Sequence, residues 1–321
     1  MSLIVSGTLA FDTLADYPGA FGDSVLPDRL DSLNVCFVIG KLIRRRGGTA
    51  GNMAHNLVLL GERPEILASI GDDSDGREYL RIVGEVWGLP TGHVKVVPGL
   101  STPNCYIATD IKGNQLIFFN PGAMETPSDF KAEKPPEGTN PGERLAIVAP
   151  TGTEDMKNLS RAFRENGIPF IYDPGQQVNI FDGEEHLRML EGADLFIVNE
   201  YEYEFFLKRT GKKPEELFDL VPAAVVTDGA AGSRLLTRSG SERIKPVPVK
   251  KVANPTGAGD AYRAGMMKAL SKGLDLLSAC RLGSACASFC VEAQGTQEHV
   301  FDLPAVLGKV RETYGVSLDL N

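Results

Sequence analysis

The sequence is poor in the residues that build metal centres and disulfide scaffolds. Its four histidines (His55, His93, His186, His299) are scattered without ligand spacing. Its five cysteines (Cys36, Cys105, Cys280, Cys286, Cys290) are odd in number and include no C-x-x-C pair, so packed thiols in a reducing cytoplasm are expected rather than cross-links. Positive charge is short: 33 Lys and Arg stand against 42 Asp and Glu, for a net charge of -9. Duplex nucleic acid is therefore excluded as an expected partner. The only tight basic run, Arg44-Arg45-Arg46, reads as a solvated strand end. No apolar run is long enough to cross a bilayer. Residues 2–7, Ser-Leu-Ile-Val-Ser-Gly, lack the charged start and long apolar stretch of a signal peptide and read as a buried strand. No internal repeat is visible.

What the chain does have is 42% hydrophobic residues, enough for a large core, arranged as short apolar runs alternating with longer helical patterns. Strands are expected at Leu3–Ser6, Arg63–Ile70, Leu145–Ala149, Pro169–Tyr172, Leu195–Val198 and Ala223–Thr227. Helices are expected at Gly51–Leu60, Gly76–Trp87, Thr153–Asn166 and Glu200–Thr210. This alternation predicts an α/β fold with a mainly parallel sheet covered on both faces, the whole of 1–321 forming one domain. Ligands of such sheets bind beyond the carboxyl ends of the strands, where this chain carries polar and glycine-rich turns. Two stretches break the alternation. Residues 13–46 contain Val35-Cys-Phe-Val-Ile39, and residues 102–120 read as a hairpin turning at Gly113-Asn114. Together they predict a small β lid, discontinuous in sequence, that could keep water from a reactive group. Residues 131–142, polar and rich in Pro and Gly, read as a loop.

Chemistry concentrates in two segments. Thr256-Gly257-Ala258-Gly259-Asp260 lies between the strand-like Ile244–Val252 and an amphipathic helix bearing Met266, Met267 and Leu270. Glycines at a helix start let backbone N–H groups converge on an anion, and the helix dipole adds positive potential. An aspartate there can take the proton of a hydroxyl attacking that anion. On its own the run fits a plain helix start equally well. Gly47-Gly48-Thr-Ala-Gly51-Asn52 also precedes a helix, and its glycine pair permits close approach to a ligand while Asn52 offers a donor and an acceptor. Taken alone, it reads equally as an ordinary glycine-rich loop.

The two segments resemble the signature motifs of the ribokinase family, also called the PfkB carbohydrate kinase family. The first matches GG-x-x-x-N with a downstream glycine, Gly71, and the second matches D-T-x-G-A-G-D with Asn254 in place of the first aspartate. Asn199-Glu-Tyr-Glu202 resembles N-x-x-E, Thr227-Asp-Gly229-Ala-Ala-Gly232 resembles the T-x-G-x-x-G nucleotide loop, and Asp12 follows the first strand. These landmarks keep the family order from residue 3 to about residue 300. The resemblance implies a ribokinase-like three-layer α/β/α sandwich with a small β-sheet lid. It implies ATP as co-substrate and Mg²⁺ held near Asn199 and Glu202. Asp260 would be the base, with Gly257, Ala258 and Gly259 as the anion hole. Thr227, Gly229, Gly232 and Thr256, with Asn199, Gly257 and Gly259, would hold the nucleotide. Asn254 keeps a carbonyl oxygen but loses the charge that helps organise a monovalent cation in many relatives, which puts potassium activation in doubt.

The long segment between Asp12 and Gly47, the run Asn120-Pro-Gly-Ala-Met124 and Asp173-Pro-Gly-Gln176 are similar to the bacterial and archaeal nucleoside kinases of the family, the adenosine-kinase-like members. That likeness implies ribose hydroxyls on Asp12, Gly47, Gly48 and Asn52, and a base near Phe37, Met124 and Gln176. The substrate expected is a nucleoside, adenosine foremost, phosphorylated on its 5′-hydroxyl. A sugar kinase of ribokinase or fructokinase type shares the same machinery, and a non-catalytic nucleoside-binding regulator is the third reading. A monomer or a homodimer is expected, since lids in the family can pair between subunits.

Overall fold

A computed structural model describes residues 1–32, 34–131 and 143–320; the expected loop lies, apart from Lys131, outside them. Nine strands form the large sheet: β1 (Ser2–Ser6), β4 (Glu65–Gly71), β5 (Val94–Val97), β8 (Arg144–Val148), β9 (Phe170–Tyr172), β10 (Leu195–Asn199), β11 (Ala223–Thr227), β12 (Ser233–Thr237) and β13 (Gly240–Ile244). Their order is β13-β12-β11-β10-β9-β8-β1-β4-β5. The seven from β11 to β5 run parallel, while β12 and β13 complete an antiparallel edge. The fold is ribokinase-like, as the motifs implied.

Both faces of its central strands are dry, which is why these strands read as unbroken apolar runs. Along β1, Leu3 and Val5 face one core while Ile4 faces the other; in β8, Leu145 and Ile147 oppose Ala146 and Val148. One face is covered by α2 (Thr49–Leu59), α7 (Ala258–Ser271), α8 (Leu276–Val291) and α9 (Leu303–Tyr314), with α3 (Ser74–Arg81) beside them. The other is covered by α4 (Thr153–Glu165), α5 (Gly183–Leu190) and α6 (Glu200–Thr210). Each aliphatic side chain so buried contributes about 1.5–3 kcal/mol. Cys280, Cys286 and Cys290 are buried free thiols of α8, which packs on α7. No helix among the described residues is long and apolar enough to cross a membrane.

The strand order reverses at β1, with β4 on one side and β8 on the other, so a crevice opens beyond their carboxyl ends. Thr8 and Thr49 fasten its floor. Their hydroxyls donate to the carbonyl of Pro150, at 2.8 and 3.1 Å, and the Thr8 N–H donates to Thr49 Oγ1 at 3.1 Å. Helices α2 and α7, which carry the two glycine-rich segments, pack directly on each other above this crevice.

The second sheet has four strands in the order β3 (Lys41–Gly47), β2 (Ala10–Asp16), β6 (Asn104–Thr109), β7 (Gln115–Asn120). Asp110 fixes the hairpin turn by accepting the N–H groups of Lys112 and Asn114, and it ties the turn to the N–H of Phe21. Three expectations need correction. Val35–Ile39 is not a strand: it pairs with neither outer strand of the sheet, and Phe37 instead packs edge-on against Tyr17 and Phe21. The stretch before Asn254 is strand only to Ile244, because Pro246 and Pro248 have no N–H to give a ladder. The arginine run is not simply solvated. Arg44 pairs with Asp75 and lies over the Phe11 ring, and Arg45 pairs with Glu298.

His299 joins the 296–299 segment to α2. Its Nε2 donates to Asn56 Oδ1 at 2.8 Å, its carbonyl accepts His55 Nε2 at 3.0 Å, and its Nδ1 is buried without a partner. Burial, with His55 beside it, pulls its pKa down to about 4. The fold therefore needs the neutral ring, and the stability this ring contributes is present above about pH 6.5 and lost as pH falls toward 4. His299→Gln keeps a donor for Asn56 without titrating. Urea unfolding should show the wild-type advantage over this variant shrinking by about 1–2 kcal/mol from pH 7.5 to 5. An advantage that stays constant with pH would contradict the account.

Candidate active site

Asp260 sits in the first turn of α7, and Gly257 caps that helix in the left-handed region, at φ 82°. A side chain at 257 would also strike Thr296, so glycine is required there twice over. Ahead of it the loop is braced by Asn254, whose Oδ1 accepts the Thr256 N–H at 2.9 Å and whose Nδ2 donates to the Gln294 carbonyl at 3.0 Å. Of the three expected anion-hole donors, Ala258 already gives its N–H to the Pro255 carbonyl at 3.2 Å. Those of Gly257 and Gly259 make none of the loop's hydrogen bonds, and they lie where the helix dipole favours negative charge.

The other glycine-rich segment meets this one at a single hydrogen bond. Asn52, in the first turn of α2, donates from Nδ2 to Asp260 Oδ2 at 2.8 Å. Its own Oδ1 accepts Gln297 Nε2 at 3.0 Å, and Gln297 also donates to Tyr79 Oη at 2.9 Å. Tyr79 in turn donates to the Gly47 carbonyl at 2.6 Å. Asn52 is thus committed on both sides, more a bracket for Asp260 than a free contact for sugar. Gly47 allows the Asp12 carboxylate to lie against its backbone, where any Cβ would collide with it, and Gly48 turns the chain at φ 84°. Asp12 has no hydrogen-bond partner among the described residues, and burial raises its pKa to about 6. Such a carboxylate is an acceptor in want of hydroxyl donors.

Burial also pushes Asp260 up to about 6. Arg263 and the Asn52 hydrogen bond pull the other way, while Asp173 and Glu202 add to the rise. A carboxylate that titrates near the working pH suits a general base. Sequence reading missed Arg263, one turn beyond Asp260, and the polar run Thr296-Gln297-Glu298-His299. Each residue of that run braces a different neighbour: Gly257, Asn52, Arg45 and Asn56. Four successive polar residues after an apolar helix, three of them buried, were the only signal available.

Across the crevice, Thr227 ends β11, and the turn Gly229–Ala231 closes with the Asp228 N–H donating to the Gly232 carbonyl at 2.8 Å. Beside it lies a cavity of about 330 Å³ lined by Glu200, Asp228, Ala231, Ser233, Arg234 and Arg243. Asn199 and Glu202 form a capping box for α6: Asn199 Oδ1 accepts the Glu202 N–H and Glu202 Oε2 accepts the Asn199 N–H, both at 2.8 Å. This leaves Glu202 Oε1 outside the cap, and no cluster of three metal-binding side chains forms among the described residues. The set fits an ion that keeps most of its waters, as Mg²⁺ does, rather than a protein cage.

The expected base-side residues are not gathered together. Phe37 belongs to the aromatic cluster with Tyr17 and Phe21. Met124 is buried with its sulfur 3.1 Å from the Thr8 hydroxyl, at the crevice floor. Gln176 is exposed beyond β9, while its neighbour Gln177 is buried and donates to the Thr151 carbonyl.

The family model of pfkB carbohydrate kinases matches residues 39–302. The chain is 31% identical to a nucleoside kinase of Methanocaldococcus jannaschii over 79% of its own length and 82% of the relative's. A nucleoside kinase of Burkholderia thailandensis in complex with inosine superposes with a TM-score of 0.84 at 30% identity, over 98% of this chain and 99% of that one. The same protein with ADP-inosine gives 0.82 at 30% identity, over 100% and 98%.

An ionised carboxylate held this far from water costs stability. Asp260 is raised from 3.8 to about 6, so the cost is absent below about pH 4 and complete above about pH 6. Asp260→Asn keeps the oxygen that Asn52 needs. It should stabilise the protein by about 1–3 kcal/mol at pH 8 and by much less at pH 4.5, read from urea unfolding. Equal stability of the two proteins at both pH values would contradict the burial account.

Proposed function

Since the chain belongs to the pfkB family of carbohydrate kinases, phosphotransferases that use an alcohol acceptor, we propose that it transfers the γ-phosphoryl group of ATP to the 5′-hydroxyl of a nucleoside, adenosine foremost. The observation that carries this is Asp260: a half-buried carboxylate, its pKa raised by burial to about 6, fixed by Asn52 in the first turn of a helix where the Gly257 and Gly259 N–H groups make none of the loop's hydrogen bonds. The nucleoside kinases of M. jannaschii and B. thailandensis, one of them with inosine bound, support the acceptor class.

In this reading the nucleoside lies in the crevice between the two sheets. The unpartnered Asp12 carboxylate, beside Gly47 and Gly48, accepts ribose hydroxyls. Asp260 takes the proton from the 5′-hydroxyl as its oxygen attacks phosphorus, and a carboxylate near pH 6 can hold that proton and later release it to water. The N–H groups of Gly257 and Gly259 meet the charge that develops on the phosphoryl oxygens. The turn Thr227–Gly232 and the cavity next to it receive the nucleotide, with Arg234 and Arg243 on its wall. Asn199 and Glu202 would hold Mg²⁺, which would supply charge neutralisation at the phosphates. Asn254 spends both ends of its amide on the loop, so we assign it no role toward potassium. The four-stranded sheet acts as the lid of a single kinase domain, formed by segments within 13–46 and 102–120 together with the start of β2. Strand β7 leaves an open edge with exposed Ile117, Phe118 and Phe119, so the chain works as a monomer or as a homodimer paired there. Its free thiols support a reducing, cytoplasmic setting.

An ATP-coupled assay over adenosine, inosine, guanosine, cytidine, ribose, fructose and fructose 6-phosphate tests the substrate class. Turnover is expected with nucleosides, adenosine leading, and Asp260→Asn should lower kcat by about 10²–10⁴. Turnover confined to a free sugar would defeat the nucleoside reading. A variant within tenfold of wild type would defeat the base assignment.

A further inference from the structure

One buried charge in the site has no part in the chemistry described above. Arg263 lies one helical turn after Asp260, and its side chain is 8% exposed. It makes a two-point ion pair with Asp173, itself 2% exposed: Nη2 donates to Oδ1 at 2.7 Å and Nε lies against Oδ2. The third nitrogen, Nη1, fills the place a side chain at Gly259 would need, since a Cβ there would come within 2.8 Å of it. The guanidinium is therefore packed under the glycine turn that faces the phosphoryl group. Asp173 closes β9 and opens the Asp173-Pro-Gly-Gln176 turn, so the pair also joins the sheet to the catalytic helix across 90 residues of sequence.

We propose that Arg263 is a positioning residue: clamped by Asp173, its guanidinium holds the Gly257–Gly259 turn in shape and sets the electrostatic environment of Asp260. Three carboxylates converge there, Asp260 on α7, Asp173 after β9 and Glu202 on α6, and Arg263 is the cation among them. The remaining groups at Asp260 are neutral: the Asn52 amide from α2 and the Cys290 thiol of α8, whose pKa burial and Asp260 hold up at about 12. Burial alone would lower the affinity of Arg263 for its proton; Asp173, then Asp260 and Glu202, raise it, so the guanidinium stays charged. A simple structural clamp would need only a good fit. This one also has a sign: Arg263 favours the ionised base, and Asp173 opposes it.

The inference rests on Asp260 as the base, and the test separates the two. The profile of kcat against pH is measured with ATP and adenosine, or with whichever nucleoside is turned over, for wild type, Arg263→Met, Arg263→Lys, Asp173→Asn and Asp260→Asn. Arg263→Met should lose at least about tenfold in kcat with KM within about threefold. Its acid limb should move up by about one pH unit. Arg263→Lys should bring the limb back toward wild type. Asp173→Asn should move it down. Limbs that stay in place in all three variants, whatever happens to kcat, would reduce the pair to a structural brace and overturn the proposal. So would an Arg263→Met enzyme with unchanged kcat. If Arg263→Met does not fold, the limbs of Asp173→Asn and Arg263→Lys decide alone. An Asp260→Asn enzyme that keeps its activity would overturn the base assignment instead.

Discussion

The hydrogen bond from Asn52 to Asp260 spans 208 residues of sequence and fixes the site. It exists because two helices, each starting in a glycine turn, pack side by side over one crevice of the sheet. Neither turn could form with other residues. Gly48 and Gly257 hold positive φ angles, and Gly47 leaves room for the Asp12 carboxylate. The sheet supplies the rigidity: with both faces dry, its strands cannot slip without turning apolar side chains toward water. Two half-buried carboxylates held short of water cost stability, which the large core offsets.

Charge follows from the same geometry. Asp12 and Asp260 are both raised to about 6 by burial, yet they differ in company. Asp260 is bracketed by an amide, a guanidinium and two further carboxylates, which tune it. Asp12 stands without a partner, so a ligand's hydroxyls can complete it. In the proposed reading, a base and a recognition carboxylate arise from one residue type in two surroundings. The proposed nucleotide side uses different means: a tight turn after β11, two arginines, and a helix cap that leaves Glu202 Oε1 outside it.

Much of this was legible in the sequence. Six of the seven parallel strands announced themselves because burial on both faces leaves no polar residue to break the run; the half-exposed edge strand β5, with Lys95 in it, did not. The glycine turns were visible because few other residues adopt that backbone. The hairpin at Gly113-Asn114 followed from turn chemistry. What was hidden depended on tertiary placement. Phe37 sat in an apolar run yet became an aromatic wedge, since its ring packs edge-on against Tyr17 and Phe21. The strand-like run after Ile244 failed on two prolines. The edge hairpin β12–β13 and the helix α9 carry no motif and went unread. Arg263 and the segment Thr296–His299 look like ordinary polar residues in one dimension. Only folding shows that they hold the ends of α2 and α7 in register.

The central claim is that a nucleoside's 5′-oxygen meets Asp260 in front of the glycine turn. A crystal structure of the protein with inosine and ADP tests it most directly. The account predicts the 5′-oxygen about 2.6–3.2 Å from an Asp260 carboxylate oxygen, with ribose hydroxyls on Asp12 and the β-phosphate facing Gly257 and Gly259. A nucleoside bound with its 5′-oxygen pointing away from Asp260, or seated outside the crevice altogether, would contradict it.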